Sequence, residues 1–237
     1  MFVASFVTGP WQANCYLLAA DGSDDVVIVD PGMDAAPTVF AAVAEHGLKP
    51  VAVLATHGHL DHVADAVKVC AEYGIPCWIH SADRHLLADP IAGLGSDSAE
   101  LVHQLYPDGF TQPDEVRLYD GLDTLSVAGM EFTLVHAPGH TQGCVLLMLA
   151  YPGGKPVSHL VLSGDVLFAG SIGRTDLPGG DIQQMRQTLA GPVLALPDSA
   201  GILPGHGQQT SMAAERANNP YLSQAFLGRP AAAAGER

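Results

Sequence analysis

The apolar residues of the chain fall into short runs, and this spacing is typical of β-strands. Most runs are rich in valine, isoleucine and leucine, and each is closed by a glycine, proline or histidine signal. The pattern therefore predicts strands at residues 26–30, 51–57, 77–80, 115–119, 123–127, 131–136, 143–149, 159–165 and 201–207.

Apolar residues recur at helical spacing between several of these strands. In segment 35–47, for example, Val39, Val43 and His46 share one stripe of a helix. The other predicted helices lie at residues 61–73, 82–88 and 181–190. Strands that alternate with helices imply an α/β architecture in which helices cover the faces of a sheet.

Residues 115–149 depart from this alternation, because their predicted strands follow one another without a helix. We therefore expect these strands to form a mixed sheet. The whole pattern predicts an α/β fold, a four-layer αββα sandwich of two mixed β-sheets with outer helices. Residues 1–228 are expected to form a single domain, followed by a flexible low-complexity tail at 229–237.

The composition narrows the class of protein and its partners. Of 237 residues, 48% are hydrophobic and 15% are charged, which is typical of a compact soluble domain. A formal charge of −15, with three lysines and seven arginines, argues against nucleic acid and anionic membranes as partners. Four cysteines without a C-x-x-C pair, and an N-terminus without a basic signal region, predict a cytoplasmic location. The oligomeric state is left open.

The segment "THGHLDH" at residues 56–62 concentrates three of the 11 histidines, and an aspartate, within seven positions. A merely solvated loop would favour glycine, serine, asparagine and aspartate over repeated imidazoles. The segment directly follows the predicted strand at 51–55, and functional groups gather at the carboxyl ends of strands in α/β sheets. It is therefore the first candidate for a metal site.

Three other strand ends carry residues that bind metals, each beside a glycine. They are "APGHT" with His140, "SGD" with Asp165 and "PGHG" with His206. All the candidate donors are nitrogen or oxygen atoms, and there are enough of them for two ions. Residues two apart in an extended segment point the same way, so His57 and His59 are expected to share one ion. The candidate ligands are His57, His59, Asp61, His62, His140, Asp165 and His206.

These motifs, in this order and spacing, resemble those of the metallo-β-lactamase superfamily. Within it, "VDPG" at 29–32, "GDVLFAGSIGRTDLPGGD" at 164–181 and "ERANNPYL" at 215–222 resemble small glyoxalase-II-like (hydroxyacylglutathione hydrolase-like) hydrolases. The likeness spans about residues 1–225. Full-length glyoxalase II enzymes add a C-terminal helical domain that contributes to glutathione binding, whereas only about 30 residues follow His206 here. The thiol half of the substrate is therefore left open.

The resemblance implies two divalent metal ions and a hydroxide between them that attacks the thioester of a 2-hydroxy acid and a small thiol. It assigns His57, His59 and His140 to the first ion, Asp61, His62 and His206 to the second, and Asp165 to the bridge. Asp61 and Asp165 are the carboxylates that it assigns to catalysis. Zinc is the expected metal, and iron and manganese are alternatives, because histidine and carboxylate sites accept all three.

Several other functions share these residues. The "GRTD" loop and "HTQGC" at 140–144 also resemble a mononuclear iron persulfide dioxygenase. Hydrolysis of another ester, a lactone or a β-lactam needs only the same nucleophile. A metal-binding protein without turnover is a third class.

Some residues near the motifs have two interpretations. Arg174 matches the position of a basic substrate-binding residue in the family, but an ion pair with Asp176 is the alternative. Asp30 is either an acceptor for a ligand imidazole or part of an Asx turn. His136 is a weaker competitor as a ligand because it lacks a neighbouring glycine, and Cys144 is expected to be a packed core thiol.

Overall fold

The first sheet begins with an antiparallel meander and continues as parallel strands. The computed structural model describes residues 1–107, 109–153 and 156–228, and this part of the chain forms two six-stranded sheets. The first three strands are antiparallel, and the third to sixth run parallel to one another. In spatial order the strands are β1 Phe2–Thr8, β2 Ala13–Ala19, β3 Asp25–Val29, β4 Lys49–Leu54, β5 Cys77–Ile79 and β6 Val116–Leu118.

The second sheet is antiparallel except at one pair of strands. Its six strands are neighbours in the order β12-β11-β10-β9-β8-β7, so strands that are consecutive in the chain are also adjacent in the sheet. The parallel pair is β10 and β11. Both sheets are therefore mixed. The strands are β7 Thr124–Val127, β8 Met130–His136, β9 Val145–Ala150, β10 His159–Gly164, β11 Ala200–Pro204 and β12 Thr210–Ser211.

The helices lie outside the two sheets, and short 3₁₀ turns connect several of them. The α-helices are α1 Ala36–His46, α2 Leu60–Val63, α3 Ala66–Tyr73, α4 Ser96–Leu105, α5 Ile182–Thr188, α6 Met212–Asn218 and α7 Gln224–Leu227. The 3₁₀ helices are Ser81–Leu87, Pro90–Gly93 and Pro220–Leu222, and a π-helix covers Leu189–Val193. Within the described ranges, no helix has both the length and the apolar character needed to cross a lipid bilayer.

Three apolar layers hold the sheets and helices together. Between the sheets, Leu18 and Leu54 share a buried cluster with Phe132 and Leu147 of the second sheet. On the outer face of the first sheet, α1 and α3 complete a second cluster. On the outer face of the second sheet, α5 and α6 complete a third. This arrangement confirms the predicted four-layer αββα sandwich.

Strands β1 and β2 are not among the predicted elements. Every residue of β2 is buried, because Tyr16 and Leu18 face the second sheet while Cys15 and Leu17 face the helical layer. A strand that is covered on both faces lacks the alternation of apolar and polar residues by which a strand is recognised. Helix α4 is also not predicted. The predicted tail at 229–237 lies outside the described residues.

Residues 115–149 do not lie in one sheet, contrary to the expectation from sequence. Strand β6 pairs in parallel with β5 at the edge of the first sheet, whereas β7, β8 and β9 belong to the second. The reason is burial: Val116 and Leu118 pack against the helical layer of the first sheet, and Leu125 packs between the sheets. Succession along the chain does not specify which sheet edge each strand joins.

The helix predicted at 61–73 is divided into α2 and α3. Asp65 departs from helical geometry with φ −98° and ψ 5°, and its carboxylate accepts the N–H of Ala36 at 2.9 Å. This side chain therefore ties the break between the two helices to the start of α1. The predicted helix at 82–88 is the 3₁₀ helix Ser81–Leu87, and the helix predicted at 181–190 continues from α5 into the π-helix.

Candidate metal centre

The first four candidate ligands follow β4 at the end of the first sheet. His59 is extended, with φ −65° and ψ 147°, and α2 begins at the next residue. His57 and His59 therefore precede the helix, whereas Asp61 and His62 lie in its only turn. This change of backbone geometry within the motif directs the two halves of "THGHLDH" toward different partners.

The other three candidates come from the second sheet. His140 lies in the loop between β8 and β9. Asp165 directly follows β10, and His206 lies two residues after the end of the parallel strand β11. Close packing requires glycine here, because a Cβ at Gly205 would lie 2.2 Å from Asp165 Oδ1. A Cβ at Gly164 would similarly lie 2.4 Å from Thr56 Oγ1. The glycines beside the candidate ligands therefore let the ends of the two sheets meet.

The structure brings all seven predicted residues together. The donor atoms of His57, His59 and His140 lie within 4.8 Å of one another, and those of Asp61, His62 and His206 form a second such group. Asp165 lies between the groups. Its Oδ1 is 3.4 Å from His62 Nε2, and its Oδ2 is 3.4 Å from His140 Nε2 and 3.5 Å from His206 Nε2.

Four of the histidines are held by hydrogen bonds from the ring nitrogen that points away from the site. This arrangement selects the tautomer whose Nε2 lone pair faces the other donors, as is usual for histidines that bind metals. The acceptors are Thr56 Oγ1 for His57 at 3.1 Å, Asp30 Oδ2 for His62 at 3.0 Å, the Arg174 carbonyl for His140 at 2.7 Å and the Gln12 carbonyl for His206 at 3.2 Å.

Asp30 acts as an acceptor for a candidate ligand and not as part of an Asx turn. Besides His62, it accepts the backbone N–H of Thr56 at 2.7 Å and the Thr56 hydroxyl at 2.6 Å. The Thr56 hydroxyl thereby presents its lone pair to His57. One buried carboxylate thus orients a histidine in each of the two groups.

The donor set fits divalent cations. Buried polar atoms normally have hydrogen-bond partners, yet His57 Nε2 and Asp165 Oδ1 have none among the described residues. His59 Nδ1 and His140 Nε2 lie 2.8 Å apart, and His62 Nε2 and His206 Nε2 lie 3.3 Å apart. Imidazole nitrogens this close to one another, beside a carboxylate oxygen that has no hydrogen-bond partner among the described residues, are donors that a bound cation would satisfy.

Electrostatics distinguishes the two groups. Burial, together with the neighbouring His62, holds the pKa of His57 well below its ordinary value. Burial and the nearby His140 lower the pKa of His59 to about 3. These imidazoles are therefore neutral at physiological pH, which is the form that binds a metal.

In the second group, carboxylates outweigh the effect of burial. Burial disfavours the charged form of His62, but Asp165, Asp61 and Asp30 raise its pKa to about 9. For His206, burial is likewise outweighed, and hydrogen bonds with Asp165 and Asp61 raise the pKa to about 10. In the protein alone, protons on these imidazoles therefore balance the carboxylates, and a metal ion that binds there would displace them.

Arg174 forms the ion pair with Asp176 that was one of its two interpretations. The guanidinium donates two hydrogen bonds of 2.7 Å to the carboxylate, and both side chains are exposed. Arg174 also lies at the edge of a cavity of about 420 Å³ beside the candidate ligands. The remaining lining residues are Trp11, His59, Asp61, Leu94, Ser98, His140, Asp165, Phe168, Gly173 and Leu177. Its predicted substrate-binding role stays a prediction.

Two other residues lie near the site without joining the donors. His136 stacks on His80, with ring centroids 4.2 Å apart, and its Nε2 donates to the Gln142 carbonyl at 2.8 Å. Cys144 is buried in the apolar layer under α5, as expected for a core thiol. Two further residues that form hydrogen bonds beside the candidate ligands, Thr56 and Asp83, were not identified from the sequence. The signal for Asp83 was an acidic residue three positions after the strand-end histidine of "CWIH".

The model of the metallo-β-lactamase superfamily matches residues 8–206, which include every candidate ligand. The chain belongs to the metallo-β-lactamase superfamily. Hydroxyacylglutathione hydrolase GloC of Haemophilus influenzae is 31% identical over 215 residues, with 90% of this chain and 94% of GloC covered.

Two solved structures are also similar to the chain. The BLEG-1 B3 metallo-β-lactamase has a TM-score of 0.78 and 33% identity, covering 94% of this chain and 100% of that one. TTHA1623, described in a di-iron-bound form, has a TM-score of 0.72 and 32% identity, covering 92% of this chain and 99% of that one. Membership in the superfamily and the His/Asp groups together imply an enzyme that uses divalent metals.

Proposed function

We propose that this chain hydrolyses thioesters of the S-(2-hydroxyacyl)-thiol type with the aid of two divalent metal ions. The observation that carries the proposal is the division of the donors into two groups with a carboxylate between them. In this assignment His57, His59 and His140 would hold one ion, Asp61, His62 and His206 would hold the other, and Asp165 would serve both groups. The similarity to GloC supports the choice of a thioester.

Divalent ions held by these residues would supply two kinds of chemistry: a lower pKa for a bound water, about 7, and polarisation of the thioester carbonyl. The residues of the chain fix the orientation of the donor side chains. Asp30 and Thr56 hold His57 and His62 in fixed orientations, and the Arg174 and Gln12 carbonyls do the same for His140 and His206. Because this support comes from both sheets, the donors are preorganised before a substrate arrives.

The cavity explains how a substrate would approach the donors. Trp11, Leu94, Phe168 and Leu177 supply apolar walls, and His59, Asp61, His140 and Asp165 form the polar side. A small 2-hydroxyacyl thioester has the matching character, because its carbonyl and hydroxyl groups are polar and its acyl and thiol chains carry apolar carbons. We therefore infer that the thioester carbonyl faces the polar side of the cavity, where the donors would hold the metal ions, and that the acyl and thiol chains lie along the apolar walls.

Zinc is the metal that we propose first, because nitrogen and carboxylate donors suit it. Iron is the principal alternative, since the similar TTHA1623 is described in a di-iron-bound form. Elemental analysis of protein produced without added metal distinguishes the two. Close to two ions per chain supports the proposed site, whichever metal is found.

A β-lactam is the second candidate substrate, because BLEG-1, at 33% identity, is described as a B3 metallo-β-lactamase. Both reactions need a nucleophile and a polarised carbonyl at the same place. The deciding experiment measures kcat/KM for a lactoyl thioester and for a panel of β-lactams on the same preparation. A higher value for the thioester supports our proposal, and a higher value for a β-lactam replaces it.

The same preparation also tests the third candidate function, a persulfide dioxygenase. Oxygen uptake with a glutathione persulfide, together with one iron per chain and no thioester cleavage, would overturn the hydrolase assignment. We place the hydrolase first because a mononuclear dioxygenase would use only one of the two donor groups.

A further inference from the structure

Asp83 is a buried acidic residue outside the seven candidate ligands. It lies in the 3₁₀ helix Ser81–Leu87, which directly follows β5, and only 1% of its surface is exposed. Burial of a carboxylate is unfavourable unless hydrogen bonds compensate for the lost water. The partners of Asp83 therefore indicate what the residue does.

Among the described residues, the three donors to the Asp83 carboxylate belong to the two loops that carry the first group of histidines. Its Oδ2 accepts the N–H of Gly58 at 2.9 Å and the hydroxyl of Thr141 at 2.6 Å. Its Oδ1 accepts the N–H of Gly143 at 2.8 Å. Gly58 lies between His57 and His59, and Thr141 directly follows His140.

The glycines in these loops make the close approach possible. A Cβ at Gly143 would lie 2.5 Å from Asp83 Cγ, and a Cβ at Gly58 would lie 2.9 Å from the Asp83 carbonyl oxygen. Both distances are too short for ordinary contact. The loops are therefore packed directly on Asp83, which leaves little freedom for the histidines beside it.

We propose that Asp83 is a positioning residue for the first metal group, a role that rests on the proposed function. Its carboxylate joins the loop from the first sheet to the loop from the second and so sets the separation of His57 and His59 from His140. The hydrogen bonds of Asp83 do not reach Asp61, His62 or His206. The residue therefore acts on one group and not on the other.

The test measures cobalt(II) binding to metal-free protein by absorption spectroscopy, with Asp83→Asn as the main variant. The amide keeps the shape but turns one acceptor into a donor that faces an N–H or O–H group. In a His206→Ala background, where the first group is complete, we expect Asp83→Asn to weaken cobalt binding about 10- to 100-fold. In a His140→Ala background, where the second group is complete, the affinity should be unchanged.

Glu215→Gln is the matched control. Glu215 is also a buried carboxylate with three donors, namely Gly170 N–H at 2.8 Å, the Thr210 hydroxyl at 2.7 Å and the Asn219 amide at 2.9 Å. We expect this variant to leave the cobalt affinity of the first group unchanged. A general effect of disturbing a buried carboxylate would instead appear in both variants and would overturn the proposal.

Other outcomes are equally decisive. Equal weakening of both groups by Asp83→Asn, or no change in the first, would overturn the positioning role while the proposed function stands. If circular dichroism shows that Asp83→Asn does not fold, Thr141→Val removes a single donor, and an unchanged first-group affinity would then overturn the role. Wild-type protein that binds no cobalt would overturn the proposed function itself.

Discussion

At the scale of single residues, Asp165 is the carboxylate that lies between the two donor groups and is close to histidines of both. One of its oxygens lies near His62, and the other lies near His140 and His206. It is buried, and its Oδ1 has no hydrogen-bond partner among the described residues. Removal of this carboxylate therefore leaves two clusters of imidazoles without the negative charge that lies between them.

We expect Asp165→Ala to reduce the metal content from about two ions per chain to nearly none and to abolish thioester hydrolysis. Elemental analysis and a thiol-release assay measure the two effects. Asp198→Ala is the control, because Asp198 is exposed and pairs with Arg216 away from the site. An Asp165→Ala protein that keeps its ions and its full activity would contradict the proposed centre.

Arg174 is the other residue whose removal is informative. A free guanidinium that binds a substrate carboxylate would contribute about 1.5–3 kcal/mol. Asp176 already occupies the guanidinium here, and exposed ion pairs exchange partners at little cost. We therefore expect Arg174→Ala to lower kcat/KM for lactoylglutathione only about three- to tenfold, with the melting temperature unchanged.

The thioester of N-acetylcysteamine is the control substrate for this variant, because its thiol carries no carboxylate. Its kcat/KM should not respond to Arg174→Ala. Asp176→Ala should raise kcat/KM for lactoylglutathione, because it frees the Arg174 guanidinium from its ion pair. An equal change in kcat/KM for both thioesters would show that Arg174 pairs with Asp176 within the loop and does not bind the substrate carboxylate.

At the scale of elements, α5 supports the loop that carries His140. Asp181 caps the helix by accepting the N–H groups of Gln183 at 2.7 Å and Gln184 at 3.0 Å, and its own N–H donates to the Gly139 carbonyl at 2.8 Å. Gly139 has φ 143°, and a Cβ there would lie 2.5 Å from Met185 Cα. The helix and the loop are therefore packed without space for a side chain.

Asp181→Ala should lower the free energy of unfolding by about 1 kcal/mol, the usual effect of removing an N-cap side chain. The Asp181 backbone bond to Gly139 remains, so the metal content should not change. Urea denaturation and elemental analysis check the two statements. Asp181→Asn, which also caps helices well, should have the stability of the wild type, and a loss as large as that of the alanine variant would contradict the capping role.

At the scale of the whole molecule, the distribution of charge bears on the thiol half of the substrate. The formal charge is −15, and Arg174 is the one lysine or arginine among the described residues that line the cavity. The structure therefore offers few cations that could hold the two carboxylates of glutathione. The binding energy should come mainly from the acyl group and the polarised carbonyl.

We expect the enzyme to tolerate variation in the thiol. Lactoyl thioesters of glutathione, coenzyme A and N-acetylcysteamine should have kcat/KM values within about tenfold of one another, which corresponds to ~1.4 kcal/mol. Hydrolysis by the Asp165→Ala variant provides the background rate for each thioester. A preference for glutathione beyond roughly a thousandfold would contradict the prediction and show a dedicated pocket.

The sequence by itself determined the residue types at the candidate centre and the class of the fold. Strand-end motifs with glycine beside histidine or aspartate identified seven candidate donors, because a donor aimed from a tight turn needs a small neighbour, and the structure places these seven side chains together. Short β-branched runs that alternate with helical stripes identified the α/β layers. Both signals are local, so neighbouring residues are sufficient to show them.

Only the tertiary structure decided which distant residues meet. His57 and His206 are 149 positions apart in the chain, and packing of the two sheets brings their strand ends together. The same packing sends β6 to the first sheet and places Asp83 between two loops. A buried strand or a hydrogen-bonding carboxylate depends on partners far away in sequence, and no periodicity of the chain records those partners.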